Sequence, residues 1–269
     1  MRLDFTRFDS FWRNPEMYRL KYECNLVPVV AGYGLQRGTA FHTIKDCHHA
    51  GMDKASIEAQ VASQVPDPAA RAMAWKMWHE WQLRYNPHGP TILVSELEFE
   101  VPIIGSPHTI VGRLDEVIDV GGVQWVGEVK TANNKATLIK LQQRFALDKQ
   151  VDFVLVGAQH AGYQPLGVMV RVVTETSPPR IWEIPVKRTS HSLDLLRLTV
   201  HQTCELIGFM RAQFGIDQPW PHIENSWPCM AKGKCEMEQL CRRPNSEWTT
   251  QDLDGYQKRI EHLALLQAG

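Results

Sequence analysis

The chain has 269 residues, 43% hydrophobic and 22% charged, with a net charge of −1. This is ordinary globular composition, with apolar material for one large domain or one core with additions. It excludes coating nucleic acid by bulk charge, although a local basic stripe is enough for binding. No run of about 18 apolar residues occurs, so neither a membrane span nor a membrane partner is expected. The N-terminus, MRLDFTRFDSFWRNPE, carries charges where a signal peptide needs an apolar core. A cytoplasmic protein is expected. Disulfides are unusual there, so the six cysteines ask for another reading.

In chain order, residues 8–24 read as helical, with Pro15 near the start of the first strong turn. The stretch from Gly32 to Gly38 is a glycine-punctuated connection. A helix is predicted over 39–62, carrying His42, and another over 67–86. In the latter, Trp75, Trp78 and Trp81 recur at three-residue spacing, as in a stripe packed in the core. Strand character starts near Thr91, where Glu96, Glu98 and Glu100 alternate with Leu97, Phe99 and Val101. Gly105-Ser106-Pro107 turns the chain into 112–131, two alternating runs joined by Gly121-Gly122. Together these make a three-stranded antiparallel unit. A helix over 136–161 follows, then strands over 167–174 and 180–186 separated by Ser177-Pro178-Pro179. A long amphipathic helix over 190–214, a Pro-, Trp- and Cys-rich segment over 218–244 and a helix over 250–266 complete the order.

This order predicts an α/β (α+β) protein. A central mixed sheet contains the antiparallel three-stranded unit, helices flank it, and a Cys-rich segment is appended. Three regions are expected: a helical one over 1–90 carrying His42, a core over 91–216, and 217–269 packing on the same domain.

Chemistry concentrates in the hairpin. A Gly-Gly pair accepts the positive φ of a tight two-residue turn. With Val120 facing Val123, counting back sets Asp119 against Gln124, Val117 against Val126 and Asp115 against Glu128. The two carboxylates then have Cβ atoms roughly 4.5–5.5 Å apart, an arrangement that destabilises a sheet unless a cation lies between. Lys130 projects from the same strand face as Glu128. Two acids and a lysine on one face suit divalent-metal binding and hydrolysis. A salt-bridged surface hairpin is the alternative, but it gives no reason for opposing two acids. Downstream, Lys130, Lys135, Lys140, Arg144 and Lys149 form a basic stripe opposed only by Asp148, fit either for phosphates or for plain solvation.

The motifs GTAFH (38–42), GRLDEV (112–117) and GEVKT (127–131), in this order of elements, resemble the PD-(D/E)XK nuclease superfamily. They resemble most closely its RecB-like branch, with the AddB nuclease domains, CRISPR-associated RecB-like exonucleases and phage exonucleases. The resemblance covers residues 8 to 244. It implies a restriction-endonuclease-like core, with Asp115 and Glu128 as metal ligands, the Val129 carbonyl as a further ligand and His42 completing the site. Lys130 would orient or activate the attacking water and stabilise charge developing on the phosphate. The implied ion is Mg2+ or Mn2+, in keeping with hard oxygen ligands. Glu96 is either a water-mediated ligand of the kind this family carries on the preceding strand or an exposed strand residue. Gln150 stands for the glutamine of the branch's QxxxY motif, although Val154 replaces the tyrosine. A literal QxxxY at Gln159–Tyr163 falls where the helix should be ending.

Iron–sulfur members of the branch hold a [4Fe–4S] cluster with one N-terminal and three C-terminal cysteines, and four thiolates are the required set. Cys229, Cys235 and Cys241 supply the latter three. Asn14-Pro15 stands where the first cysteine is usual, and Cys24 is the nearest substitute. A cluster, a zinc ion and metal-free packing all remain open. Cys47 and Cys204 lie on apolar helical stripes as small core residues.

The function implied is a metal-dependent DNA nuclease, an exonuclease acting on DNA ends in recombination or repair, of phage or prophage origin and with a recombination partner protein. The rivals are a non-catalytic nucleic-acid-binding or assembly subunit and a sequence-specific endonuclease.

Overall fold

Asp4 starts the first helix by accepting the Arg7 N–H at 2.7 Å. It links a short strand β1 (Arg2–Leu3) to α1 (Phe5–Arg13). The computed structural model describes residues 1–28, 31–86, 89–221, 237, 240–241, 243–253 and 256–258. The helix predicted over 8–24 is interrupted. Extended Asn14 ends α1 and caps α2 (Pro15–Tyr18) through the N–H groups of Glu16 and Met17, with Pro15 at the first helical position. A π-helical turn over Arg19–Glu23 leads to β2 (Leu26–Pro28).

Next come α3 (Tyr33–His49), α4 (Lys54–Gln64) and α5 (Pro68–Tyr85). The glycine-rich stretch expected as a connection is therefore the start of α3. The single helix predicted over 39–62 is two, because Gly51 turns the chain at φ 74° and Asp53 caps a new helix. The strands β3 (Thr91–Pro102), β4 (Thr109–Val120) and β5 (Val123–Ala132) form the expected antiparallel unit. The helix predicted over 136–161 divides into α6 (Leu138–Leu147) and α7 (Lys149–His160), which share Asp148 as a cap. The strands β6 (Val168–Thr174) and β7 (Ile181–Val186) and the helix α8 (Ser190–Phe214) follow as read from the sequence. The region 250–266 begins with only a short α9 (Thr250–Leu253), followed by β8 (Tyr256–Lys258). Over 256–258, antiparallel pairing of β8 with β2 takes the place of the expected helix, and residues 254–255 and 259–266 of that expectation lie outside the described residues.

Two compact units result, Met1–Val30 with Thr199–Gly269, and Ala31–Leu198. The first is held by a buried ion pair. Glu16 and Arg19, both with 0% side-chain exposure, meet at 2.6 Å. Glu16 also accepts the Trp220 N–H at 2.7 Å, while Arg19 donates to Ile216 O at 2.6 Å and Asn245 Oδ1 at 2.9 Å. Buried charge persists when it is paired and hydrogen-bonded in this way, and here the pairing ties chain segments from both termini. Cys204 is buried, as expected.

In the second unit the strands run β3-β4-β5-β6-β7. All neighbours are antiparallel except β5 and β6, giving the expected mixed sheet. A parallel pair needs a long crossover, and α6–α7 supplies it. On one face Phe41, Ile44, Cys47, Trp78 and Trp81 of α3 and α5 pack with Val129 and Val173 of the sheet, and Trp75 is partly buried against them. On the other, α7 lies against β3, where a Cβ at Gly157 would come 2.3 Å from Phe99 Cδ1. Glycine is what permits that approach. Among the described residues, no helix is long and apolar enough to cross a membrane.

Candidate active site

The Gly-Gly turn adopts positive φ at both residues, 63° and 86°. The register follows the sequence expectation from Val120–Val123 through Val117–Val126 to Glu116–Gly127. One step on, the ladder changes character. The carboxylate of Asp115 accepts the Val129 N–H at 2.8 Å, in place of a backbone acceptor. This brings Asp115 beside the strand that carries Glu128 and Lys130.

The neighbouring strand changes at the same level. Glu96, with φ 52°, falls between the pairs Ser95–Glu116 and Leu97–Leu114. Beyond it Phe99 and Gly112 meet on the α7 side, a Cβ at Gly112 lying 2.6 Å from Phe99 Cζ. Glu116, of the same parity as Gly112, instead reaches Lys45 of α3 at 3.7 Å and Arg171 at 2.6 Å. Strict alternation is therefore interrupted at Glu96 and Asp115. Glu96 is half-buried, and its carboxylate pairs with Arg113 at 2.9 Å.

Glu128 is 2% exposed. Its Oε2 accepts from Lys130 Nζ at 2.7 Å and Gln150 Nε2 at 3.1 Å. Its Oε1 is buried and has no hydrogen-bond partner. His42, from α3, lies within electrostatic reach of Asp115 and Lys130 and shares a pocket of about 490 Å³ with Lys130, Arg113 and Asp46. The chain thus brings Asp115, Glu128, Lys130, His42 and Gln150 together, with Glu96 at the edge. Val129 keeps its side chain in the core.

The sequence model of the PD-(D/E)XK nuclease superfamily matches residues 2–242. The chain belongs to that superfamily. No curated protein matches it. Among solved structures, a putative exonuclease from Eubacterium rectale shares the fold at a TM-score of 0.54 and 13% identity, over 87% of this chain and 89% of that one. A second, titled SSO0001, aligns over 76% of both chains with 17% identity and a TM-score of 0.38. Family membership supports nuclease activity, and PD-(D/E)XK nucleases usually use divalent metals such as Mg2+.

In this PD-(D/E)XK nuclease the electrostatics separate the two acids. Burial pushes the Asp115 carboxyl up, but Lys130, His42 and the Val129 N–H outweigh it and hold it below its ordinary value. Burial, reinforced by Asp115, raises Glu128 to about 7 against the opposing pull of Lys130. Burial lowers Lys130, but Glu128 and Asp115 more than compensate, so it stays a cation. Burial lowers His42, against the pull of Asp115. Burial and Asp46 raise Glu96.

Sequence reasoning missed Asp46 and Arg113. Asp46 is one helical turn beyond His42, an i,i+4 spacing that places it on the same face. Arg113 lies within GRLDEV. The basic stripe is only partly free: Lys135, Lys140 and Arg144 are exposed, while Lys149 pairs with Asp152 at 3.1 Å. Cys229 and Cys235 lie outside the described residues.

Proposed function

We propose that this nuclease is a metal-dependent deoxyribonuclease of the RecB-like branch, an exonuclease that hydrolyses phosphodiester bonds at DNA ends in recombination or repair. The carrying observation is Glu128. One oxygen is held by Lys130 and Gln150, the other is buried without a hydrogen-bond partner, and the carboxylate feels the charge of Asp115. A buried carboxylate oxygen without a partner is costly, and a hard cation is the occupant that relieves it. Asp115, Glu128, the Val129 carbonyl and His42 would hold Mg2+ or Mn2+, with Glu96 reaching it through water. When bound, the ion polarises the phosphate and lowers the pKa of its water.

The other roles follow from the side chains themselves. His42, depressed by burial, is neutral near pH 7 and has a lone pair to offer. Lys130 keeps its proton, so it orients water and stabilises negative charge rather than acting as a base. Gln150 orients Glu128. Exposed Lys135, Lys140 and Arg144 suit the phosphates of DNA irrespective of sequence, with Lys149 at their edge. A phage or prophage origin and a recombination partner belong to the same reading.

We also propose that Cys24, Cys229, Cys235 and Cys241 hold a [4Fe–4S] cluster, with zinc as the alternative. Cys24 packs in one cluster with Met237 and Leu240, just before Cys241. Arg19 donates to Cys24 Sγ at 3.4 Å. Burial lowers the Arg19 pKa, but Glu16, then Cys24 and Cys241, raise it, so both thiols stand near its charge.

The test is cleavage of end-labelled single-stranded, double-stranded and circular DNA with Mg2+, Mn2+ or EDTA. Metal-dependent loss of ends from linear DNA, with circles spared and Asp115→Asn inactive, is expected. Cutting of circles at a fixed sequence overturns the exonuclease reading. DNA binding without cleavage under any metal overturns the nuclease reading.

A further inference from the structure

The junction between α6 and α7 has no loop, since Asp148 ends one helix and caps the next. Such a break leaves carbonyls on one side and N–H groups on the other without helical partners. The Asp148 carboxylate serves the second set, accepting the Gln150 N–H at 2.9 Å. Arg188, just after β7, adds a side-chain donor to two carbonyls at the junction, Phe145 O and Asp148 O, which also accept the Asp148 and Val151 N–H groups at 3.3 Å. Its Nη2 lies 3.4 Å from Phe145 O and 3.2 Å from Asp148 O. Its Nε donates to Asp152 Oδ1 in the first turn of α7. Asp152 is 1% exposed and Arg188 12% at the side chain, and Lys149 holds the other Asp152 oxygen at 3.1 Å. One guanidinium thus ties together the end of α6, the shared cap and the first turn of α7. Gln150 sits in that turn, and its amide reaches Glu128 Oε2 at 3.1 Å.

We propose that Arg188 is a positioning residue: it fixes the first turn of α7 so that Gln150 turns Glu128 and leaves Oε1 for the cation. This rests on the reading of Glu128 as a metal ligand. The guanidinium fork matters, because a lysine reaches Asp152 but does not span two carbonyls as well. A hydrogen bond from Gln150 that is already 3.1 Å long tolerates little drift of the helix.

The experiment measures Mn2+ binding by electron paramagnetic resonance, beside cleavage and thermal unfolding, for wild type, Arg188→Lys, Gln150→Ala and the double variant. Each single change is expected to weaken Mn2+ binding about 10-fold, the usual scale for a residue that orients a ligand. The double variant is expected to be no worse than either single, because both act on one link. Should Arg188→Lys be too unstable to purify, Asp152→Asn weakens the same link by removing the carboxylate charge, and a smaller loss of Mn2+ affinity in the same direction is expected. Wild-type Mn2+ affinity in Arg188→Lys, or losses that multiply in the double variant, overturns the positioning role alone. Wild type that binds no Mn2+ overturns the metal site and this role with it.

Discussion

Glu96 lies level with Asp115 in the β3–β4 ladder, both skipped between the pairs Ser95–Glu116 and Leu97–Leu114, and holds a left-handed backbone, φ 52°. At this level strict alternation breaks. Phe99 and Gly112 go to the α7 side, while Glu116 goes to α3. The break frees the Asp115 carboxylate to take the Val129 N–H. A non-glycine residue in this region costs about 1–3 kcal/mol and persists only when its surroundings impose it.

Glu96→Gly is therefore expected to stabilise the protein by about 1 kcal/mol, and Glu96→Val to destabilise it by about 2 kcal/mol. The lost pair with Arg113 adds little, because that arginine is 61% exposed. Urea unfolding measures both. A valine variant as stable as wild type would show that the backbone stores no strain here.

Glu128 sets a pH dependence. Its folded pKa, about 7, lies above the ordinary 4.5. A raised carboxyl stabilises the fold fully below the unfolded value, and that contribution is lost as pH rises through the folded one. Asp115, held low, acts in the opposite sense at more acidic pH. Metal-free Glu128→Gln should thus melt about 5 °C above wild type at pH 8, with the advantage fading toward pH 5. Mg2+ should raise the wild-type melting temperature at pH 8 and leave the variant unmoved. Differential scanning calorimetry with EDTA or Mg2+ decides it.

Lys130→Ala removes the ammonium while leaving both acids. Cleavage should fall about 10³-fold, as when one preorganised donor to developing charge is lost. Mn2+ and DNA binding should survive. Single-turnover cleavage with saturating enzyme measures the loss, and retained activity would refute the role of Lys130.

Gly157→Ala forces a Cβ into the Phe99 ring, at a separation of 2.3 Å from Cδ1. Overpacking of this kind costs about 1–3 kcal/mol. Adding Phe99→Leu should recover part of it by making room. Chemical denaturation of the single and double variants tests the coupling.

Anaerobically purified protein should be brown, absorbing broadly near ~400 nm, with iron held by four thiolates. Cys24→Ala and Cys241→Ala should each lower iron per chain while leaving Mn2+ binding intact. Zinc in place of iron by elemental analysis would select the alternative metal, and neither metal would leave the cysteines as packing residues.

The hairpin was legible because its signals are local: a Gly-Gly pair fixes the turn, and period-2 alternation fixes the register as far as Glu116–Gly127. The stripe of Trp78 and Trp81 was legible for the same reason. His42 and Gln150 came from resemblance, since nothing in their own neighbourhoods marks them. The breaks at Asn14, Gly51 and Asp148 escaped the reading although each is a capping or turn residue, because apolar periodicity runs on across them.

From sequence alone, short-range geometry determined the three-stranded antiparallel unit and the register of its hairpin as far as Glu116–Gly127. Tertiary structure decided that Glu96 leaves the alternation, that Asp115 takes a backbone N–H, and that Arg188 clamps the helix bearing Gln150. These depend on partners brought from remote positions by packing, and a chain read in order carries no term for such contacts.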